Sequence, residues 1–317
     1  MTVAATLAIT AMFSSPSLAS TANTWHVQAG SATFDASGPS GVGNQFYPGA
    51  LSIHAGDSIV VSPLGPHTVT FNPPPIPVFA LFAPINATPT AGTISSPFAP
   101  VSSGFIGDAP GATYTLTFAG SLAPGRYLLI CGLHMGMSEA VDVLPSSQAL
   151  PKTDAQYTTL AQKEIARDLA RAAHIAKAAT ENDQKEDDNQ FVLVGAGNAR
   201  VSNLRFFPAA VTIHAGESVT FLKTQDPTEP HTVTFGVEPP DPIAQLMPRG
   251  GSTYSGGDAS SGFMSTAAQF AYYHLAVTPL PVALTSYRLT FTQAGDFAYF
   301  CALHDGAGMR GIVHVIR

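Results

Sequence analysis

Two short segments of this 317-residue chain each combine residue types that can bind a soft transition metal. Residues 131–137 read CGLHMGM, a Cys-x2-His-x2-Met spacing, and residues 301–309 read CALHDGAGM, a Cys-x2-His-x4-Met spacing. A further histidine, His67 or His231, lies upstream of each segment. A thiolate, two imidazoles and a weak thioether form the ligand set of a blue copper site, because soft sulfur favours Cu(I) while imidazole suits both oxidation states. These residue types therefore predict one-electron chemistry at copper.

Both segments belong to a pattern that occurs twice in the chain. Five sequence matches occur in the same order in both halves, which predicts a duplicated domain. The matching pairs are residues 46–58 and 206–218, PHTVTF at 66–71 and 230–235, SSGF at 102–105 and 260–263, the Tyr-x-Leu-Thr-Phe segments at 114–118 and 287–291, and the Cys-x-Leu-His segments at 131–134 and 301–304.

The elements that must position these residues have the composition of β-strands. Residues 211–213, 218–221 and 231–235 are rich in β-branched and aromatic residues, and the Ala-Gly pairs at 55–56 and 215–216 indicate turns. The chain contains 28 Gly and 26 Pro, with 45% hydrophobic and only 11% charged residues, which excludes a disordered chain and disfavours a helical one. We therefore predict an all-β fold of two β-sandwiches.

A compositional change separates the two copies. Residues 152–188 hold six of the 14 basic and eight of the 21 acidic residues, and residues 159–180 lack Gly and Pro, which predicts a helix. Thr153 or Asp154 is the candidate N-cap, and Leu160, Ile165 and Leu169 are the candidates for packing on a domain. The predicted organisation is a signal peptide at 1–19, a domain at 24–146, a helical linker at 147–189 and a domain at 190–317.

The N-terminus predicts export from the cytoplasm. An apolar run at 3–13, too short to span a bilayer, precedes Ser-Leu-Ala at 17–19, a small-x-small cleavage pattern. The run lacks the usual basic residues, which indicates a truncated start; a short apolar N-terminus of a cytosolic protein is the alternative. We expect a secreted or periplasmic protein without stable membrane insertion. The net charge of −7, without a basic cluster outside the linker, argues against binding to nucleic acid.

At the level of motifs, the chain resembles the cupredoxin family over roughly residues 25–145 and 190–317. The segment at 301–309 has the loop spacing of plastocyanin, and the segment at 131–137 has the shorter spacing of amicyanin. The Ala-Gly-acid turn, the His-Thr-Val strand and the Gly-x-aromatic sequence before each cysteine are also similar to the family. The resemblance implies two tandem Greek-key cupredoxin domains joined by the helical linker.

The same resemblance implies the ligands of two type 1 copper sites. Within the first loop Met135 competes with Met137 as the axial ligand, and we prefer Met137. An Asn that is common beside the upstream histidine in the family is not evident in either copy. The implied copper ligands are His67, Cys131, His134 and Met137 in the first copy, and His231, Cys301, His304 and Met309 in the second.

The alternatives concern the cysteines and catalysis. The two cysteines could instead form one disulfide, although each stands three residues before a histidine of its own copy. Multicopper oxidases and nitrite reductases place histidines beside the copper cysteine, whereas the neighbours here are Ile130, Gly132, Phe300 and Ala302, and the chain has no His-x-His pair. We therefore expect no enzymatic activity.

The leading hypothesis is an electron carrier that docks transiently with redox proteins. The expected docking surface lies at exposed ring edges of His134 and His304, beside Leu133 and Leu303. A copper-trafficking or storage protein is the main alternative, and a sensor or adhesion module with one degenerate site is a further one. Each copy also has a Pro/Gly/Ser-rich insertion, whose composition fits a lid, a docking surface or a packed loop.

Overall fold

A computed structural model describes residues 22–36, 38–73, 89–107, 109, 111–183, 190–273 and 285–317. The predicted signal peptide at 1–19 and the part of the first insertion at 74–88 lie outside these residues. Among the helices of the described residues, none is both long and apolar enough to cross a membrane.

The first half of the described chain forms the N-terminal sandwich, defined here as strands β1 to β10. The strands follow the period-two alternation expected of half-buried β structure; in β10, for example, Glu139, Val141 and Val143 are buried and their neighbours less so. The strands are β1 (Thr24–Asp35), β2 (Gly38–Tyr47), β3 (Ala50–His54), β4 (Ser58–Pro63), β5 (Thr70–Phe71), β6 (Thr93–Ile94), β7 (Val101–Ser102), β8 (Tyr114–Phe118), β9 (Gly125–Ile130) and β10 (Ser138–Leu144).

The second half forms the C-terminal sandwich, defined here as strands β11 to β21, with two short helices inserted before β16 and β19. The strands are β11 (Phe191–Gly197), β12 (Val201–Phe207), β13 (Ala210–His214), β14 (Ser218–Leu222), β15 (Thr234–Phe235), β16 (Pro248–Arg249), β17 (Thr253–Tyr254), β18 (Ala259–Ser261), β19 (Ser286–Phe291), β20 (Gly295–Phe300) and β21 (Arg310–Ile316). The helices of the described chain are α1 (Asp154–Asp183), which joins the sandwiches, α2 (Pro242–Gln245) and α3 (Ala267–Tyr273).

One continuous sheet runs through both sandwiches. Its order is β17-β19-β14-β11-β12-β2-β1-β4-β8-β6, and the junction is the antiparallel pair β12–β2, in which Ser202 lies opposite Val42. A second sheet, β3-β10-β9-β5-β7, completes the N-terminal sandwich, and a third, β13-β21-β20-β15-β18-β16, completes the C-terminal one. Each sandwich has an apolar core, and the N-terminal core also includes Leu246 and Phe263 from the C-terminal half. The predicted all-β fold of two sandwiches joined by a helix is confirmed.

Helix α1 begins with the expected capping arrangement. The Gln156 backbone N–H donates to Thr153 Oγ1 at 3.4 Å, and the Thr153 backbone N–H donates to Gln156 Oε1 at 2.8 Å. This reciprocal pair satisfies donors that the first turn of a helix would leave unpaired. Thr153, one of the two candidates, is therefore the N-cap.

Helix α1 lies across the junction and contacts strands of both sandwiches, namely β1, β2, β11 and β12. The prediction that this helix packs on a domain through Leu160, Ile165 and Leu169 is confirmed for Leu160, which packs against the N-terminal core. Ile165 and Leu169, like Leu160, are only partly buried. The small side chains of this helix let it lie close to the sheet, and the fully buried positions are Tyr157, Ala161, Asp168, Ala172 and Ala179.

Asp168 ties the helix to both sandwiches at once. Its carboxylate is fully buried and accepts a hydrogen bond from Tyr47 Oη at 3.1 Å, at the end of β2. It also forms an ion pair with Arg200 at 2.7 Å, in the turn between β11 and β12. Burying an unpaired carboxylate would cost a large free energy, and the two partners together compensate this cost.

Candidate metal centres

The N-terminal centre is a buried cluster of His67, Cys131 and His134. His67 lies between β4 and β5, where its backbone N–H donates to Ile106 O at 2.9 Å, and Cys131 directly follows β9. The two histidine Nδ1 atoms are 3.1 Å apart, and Cys131 Sγ lies 3.8 Å from His67 Nδ1 and 3.5 Å from His134 Nδ1. All three residues are buried.

The C-terminal centre repeats this arrangement with His231, Cys301 and His304. The Nδ1 atoms of the two histidines are 3.1 Å apart, and Cys301 Sγ lies 3.7 Å from His231 Nδ1 and 3.4 Å from His304 Nδ1. In each cluster the three ligand atoms all lie within 4.8 Å of one another. The structure therefore brings together six of the eight predicted ligands in two separate groups.

The chemistry of this donor set fits copper. Burial raises the pKa of Cys131 and of Cys301, but the neighbouring histidines outweigh it and hold both values well below the usual range of a thiol. The thiolate is the form of cysteine that binds metals. A thiolate with two imidazoles in a dry pocket matches the preferences of copper, because soft sulfur and imidazole are the ligands that it favours.

The methionines lie at the closing ends of the two loops. The Cys131 backbone N–H donates to Met137 O, and the Cys301 backbone N–H donates to Met309 O, each at 3.0 Å. These bonds close each loop on itself, and both methionines are buried. Met135, in contrast, is partly exposed. The burial favours Met137 over Met135 as the weak sulfur ligand.

Two threonines that the sequence did not suggest hold the cysteines in place. The backbone N–H groups of Thr68 and Thr232 donate to Cys131 Sγ at 3.4 Å and to Cys301 Sγ at 3.3 Å. Their Oγ1 atoms accept from the backbone N–H groups of Gly132 at 2.7 Å and of Ala302 at 2.8 Å. Each threonine thus links the upstream histidine to the loop. The repeated Thr after each histidine was the available signal.

The two upstream histidines differ in the partner of their outer ring nitrogen. His67 Nε2 lies 3.2 Å from the backbone oxygen of Leu64, whereas His231 Nε2 lies 2.9 Å from Asp226 Oδ2. Asp226 is fully buried; burial raises its pKa, but Lys223, His231 and Ser202 lower it further. Within the described residues, therefore, only the C-terminal centre has a carboxylate in contact with the outer nitrogen of its upstream histidine.

Glycines make room for both of these rings. Gly30 and Gly195 have φ values of +79° and +77°, a backbone conformation that side chains disfavour. A Cβ atom would lie 2.2 Å from His67 Nε2 at the first position and 2.3 Å from His231 Nε2 at the second. The close approach of the backbone to each ring therefore requires glycine.

The outer nitrogens of the two loop histidines face a single carboxylate. His134 Nε2 lies 3.2 Å from Glu229 Oε1, and His304 Nε2 lies 3.4 Å from Glu229 Oε2. Burial lowers the pKa of both histidines, but Glu229 and the cysteine of the same centre raise it to about 10. Burial in turn raises the pKa of Glu229, but the two histidines hold it well below its usual range.

The expectation of exposed ring edges at His134 and His304 is therefore wrong. Their side chains are only 7% and 15% exposed, because the two sandwiches pack against each other at this point. Leu133 is buried as well, and Leu303 packs against the cores of both sandwiches. A partner cannot reach the rings by the route that the loop sequences suggested.

The disulfide alternative is also wrong. Both cysteines are free and buried, and each lies with the histidines of its own centre.

Comparison with known proteins assigns the family. The family of copper binding proteins described as plastocyanin/azurin matches residues 191–316. A plastocyanin from Scenedesmus fuscus is 30% identical over 112 residues, which cover 35% of this chain and 87% of that protein. The chain belongs to the plastocyanin/azurin family of copper-binding proteins.

Solved structures of the same kind of protein are also similar to this chain. The oxidised plastocyanin from Dryopteris crassirhizoma is 20% identical, with 40% of this chain and 99% of that chain covered and a TM-score of 0.25. An amicyanin mutant in its Cu(I) form is 20% identical, with 42% of this chain and 89% of that chain covered and a TM-score of 0.23.

Proposed function

We propose that this protein is a one-electron carrier with two type 1 copper sites. The observation that carries the proposal is the pair of buried thiolate–imidazole clusters, alike in geometry and each placed beside a buried methionine. Copper bound there would supply the redox chemistry by cycling between Cu(II) and Cu(I). The proposed ligands are His67, Cys131, His134 and Met137 at one site, and His231, Cys301, His304 and Met309 at the other.

The protein's own part is to hold the ligands rigidly and to keep them dry. Each loop is closed by a Cys–Met backbone hydrogen bond and tied to the upstream strand by Thr68 or Thr232. A ligand set fixed in this way rearranges little when the charge of the metal changes. Small rearrangement is what a fast one-electron carrier needs, and this rigidity supports the carrier over a catalyst that must open its site to substrate.

Copper trafficking or storage is the second candidate. It requires ligands that an acceptor protein can reach, whereas the cysteines here are fully buried and the loop histidines nearly so. This burial favours a retained ion. The residues beside the cysteines, among them Gly132 and Ala302, also lack the histidines that would connect a type 1 site to a second copper centre, which supports the absence of an enzymatic role.

We further infer that the carrier docks transiently with redox proteins outside the cytoplasm. Relatives of the plastocyanin kind are typically secreted, periplasmic or lumenal, and the predicted signal peptide agrees with such a place. Because the ring edges of His134 and His304 are covered, the docking surface must differ from the one that the sequence suggested.

A reductive titration tests the proposal. The copper-loaded, fully oxidised protein is titrated with a stoichiometric reductant while its visible absorbance is recorded, and it is then reoxidised. We expect a blue band that disappears after two electrons per chain and returns fully. A second sample, challenged with a copper chelator, should keep its copper over the same period. Loss of copper to the chelator without reversible bleaching would favour trafficking, and a protein that retains no copper and shows no blue band would contradict both copper roles.

A further inference from the structure

A single carboxylate, that of Glu229, lies between the two candidate centres. Its two oxygens face the outer nitrogens of one histidine from each centre, His134 at 3.2 Å and His304 at 3.4 Å. Asn44 Nδ2 of β2 donates a third hydrogen bond to Oε1 at 2.7 Å. Glu229 itself is only 6% exposed. A buried carboxylate is stable only when it is well paired, and here both sandwiches supply its partners.

The direction of these hydrogen bonds follows from the orientation of the rings. In each loop histidine, Nδ1 faces the cysteine of its centre and Nε2 faces Glu229. A neutral imidazole that binds a metal through Nδ1 carries its proton on Nε2. Both rings therefore donate to the carboxylate, and such outer partners fix the orientation of a ligand and raise its basicity.

The loop that carries Glu229 is itself held firmly. Asp226 Oδ1 accepts from the backbone N–H of Glu229 at 3.2 Å and from Thr228 Oγ1 at 3.2 Å, while its Oδ2 faces His231. The equivalent loop of the N-terminal sandwich is shorter, with residues 64–66 between β4 and His67 against residues 223–230 between β14 and His231. It contains no acidic residue. The bridging carboxylate therefore comes from the C-terminal sandwich alone.

We propose that Glu229 is a positioning residue shared by both copper sites, an inference that rests on the function proposed above. It holds the loop histidine of its own sandwich and, across the junction, that of the N-terminal sandwich. A change at residue 229 should therefore alter metal binding at His67, Cys131 and His134, although Glu229 belongs to the other half of the chain.

Zinc binding to single-centre variants tests the proposal without any redox step. The Cys301→Ser variant keeps only the N-terminal centre intact. Its zinc affinity is compared with that of the double variant that also carries Glu229→Ala. Loss of an outer partner of a metal ligand typically weakens metal binding by about 10–100-fold, and we expect a loss in this range. Glu217→Gln in the same background is the control, because Glu217 caps the turn before β14 away from both centres; it should leave the zinc affinity unchanged. An unchanged affinity with Glu229→Ala would overturn the proposal.

A second measurement uses the unmutated, zinc-loaded chain with ¹⁵N-labelled histidine, so that a variant that fails to fold does not decide the matter. We expect the Nε2–H protons of both His134 and His304 to be visible and protected from exchange with solvent. Rapidly exchanging protons would overturn the proposal. The absence of these Nε2–H protons, together with a third zinc ion per chain, would also overturn the proposal, since the Nε2 atoms would then be metal ligands. If the copper-loaded protein showed no blue band while the Nε2–H protons were protected, the carrier function would be contradicted and the role of Glu229 would stand.

Discussion

Thr68 and Thr232 show how a single hydroxyl group can hold a metal loop. Each accepts from a backbone N–H in the loop after the cysteine, and each directs its own backbone N–H at the sulfur. The hydroxyl and its donor are buried, so that no water can replace a lost bond. A substitution that removes the hydroxyl therefore costs the free energy of leaving one buried N–H donor unpaired.

Replacing Thr232 by Val should destabilise the protein by about 1–3 kcal/mol, because the N–H of Ala302 loses its acceptor while the shape of the side chain is kept. Urea unfolding of the metal-free protein measures this change. Thr212→Val, on the exposed side of β13, is the matched control and should stay within about 0.5 kcal/mol of the parent. A stability equal to that of the control would show that the hydroxyl does not hold the loop.

Asp226 should make the two proposed copper sites unequal. A carboxylate behind a ligand histidine raises its basicity, which favours Cu(II), whereas the N-terminal centre has only a backbone oxygen at this place. We therefore expect the lower reduction potential at the C-terminal site. In a Cys131→Ser background, Asp226→Asn should weaken Cu(II) binding by about 10-fold, which corresponds to a rise of about 59 mV.

A redox titration followed by visible absorbance measures the Asp226 effect. Asp226→Asn in the Cys301→Ser background is the control, because the remaining N-terminal site has no direct contact with this carboxylate and an amide oxygen can still accept the bonds from Thr228 and Glu229 that hold the shared loop. A potential that stays the same, or falls, in the Cys131→Ser background would contradict the assigned role.

Among the elements, helix α1 is the one that belongs to neither sandwich and contacts both. Its buried carboxylate, Asp168, joins Tyr47 of the first sandwich to Arg200 of the second. The helix also accepts from Asn203 Nδ2 at the oxygen of Ala172, at 3.0 Å. These polar contacts give the helix a fixed position where its apolar face is small.

Asp168→Ala should cost about 3 kcal/mol of unfolding free energy, because Arg200 loses its ion pair and the Tyr47 hydroxyl loses its acceptor. The value lies at the low end for a buried pair, since Arg200 is partly exposed and solvent compensates some of its charge. Chemical denaturation monitored by circular dichroism gives the measurement. Glu181→Ala, at an exposed position of the same helix, should change the stability by less than about 0.5 kcal/mol. Similar losses in the two variants would rule out a special role for Asp168.

The sequence was informative about elements and less so about their contacts. The helix, and a cap at Thr153 or Asp154, followed from composition and local pattern, because both depend on neighbouring residues. Its buried face followed only in part, because Leu160 packs as predicted whereas most of the buried positions are Ala or Asp. The loop spacings likewise predicted the histidines and cysteines that lie together in each cluster, whereas the contact of Glu229 with His134 depends on the packing of segments that are distant in the sequence.

At the scale of the whole molecule, the two sandwiches share one sheet and face each other at their metal loops. The pairing of β12 with β2 brings His134 and His304 to the same buried carboxylate. This arrangement differs from two independent domains on a flexible tether, since the parts that hold the sites are themselves the interface. It also moves any contact with a redox partner away from the loop histidines.

The central claim is that the chain holds one type 1 copper in each sandwich, and copper counting with the visible spectrum tests it most directly. We predict two coppers per chain and a reversible blue band for the copper-loaded protein. Cys131→Ser and Cys301→Ser should each retain one copper and part of the blue colour. A single copper in the unmutated protein, with the blue colour abolished by one of these substitutions alone, would contradict the claim.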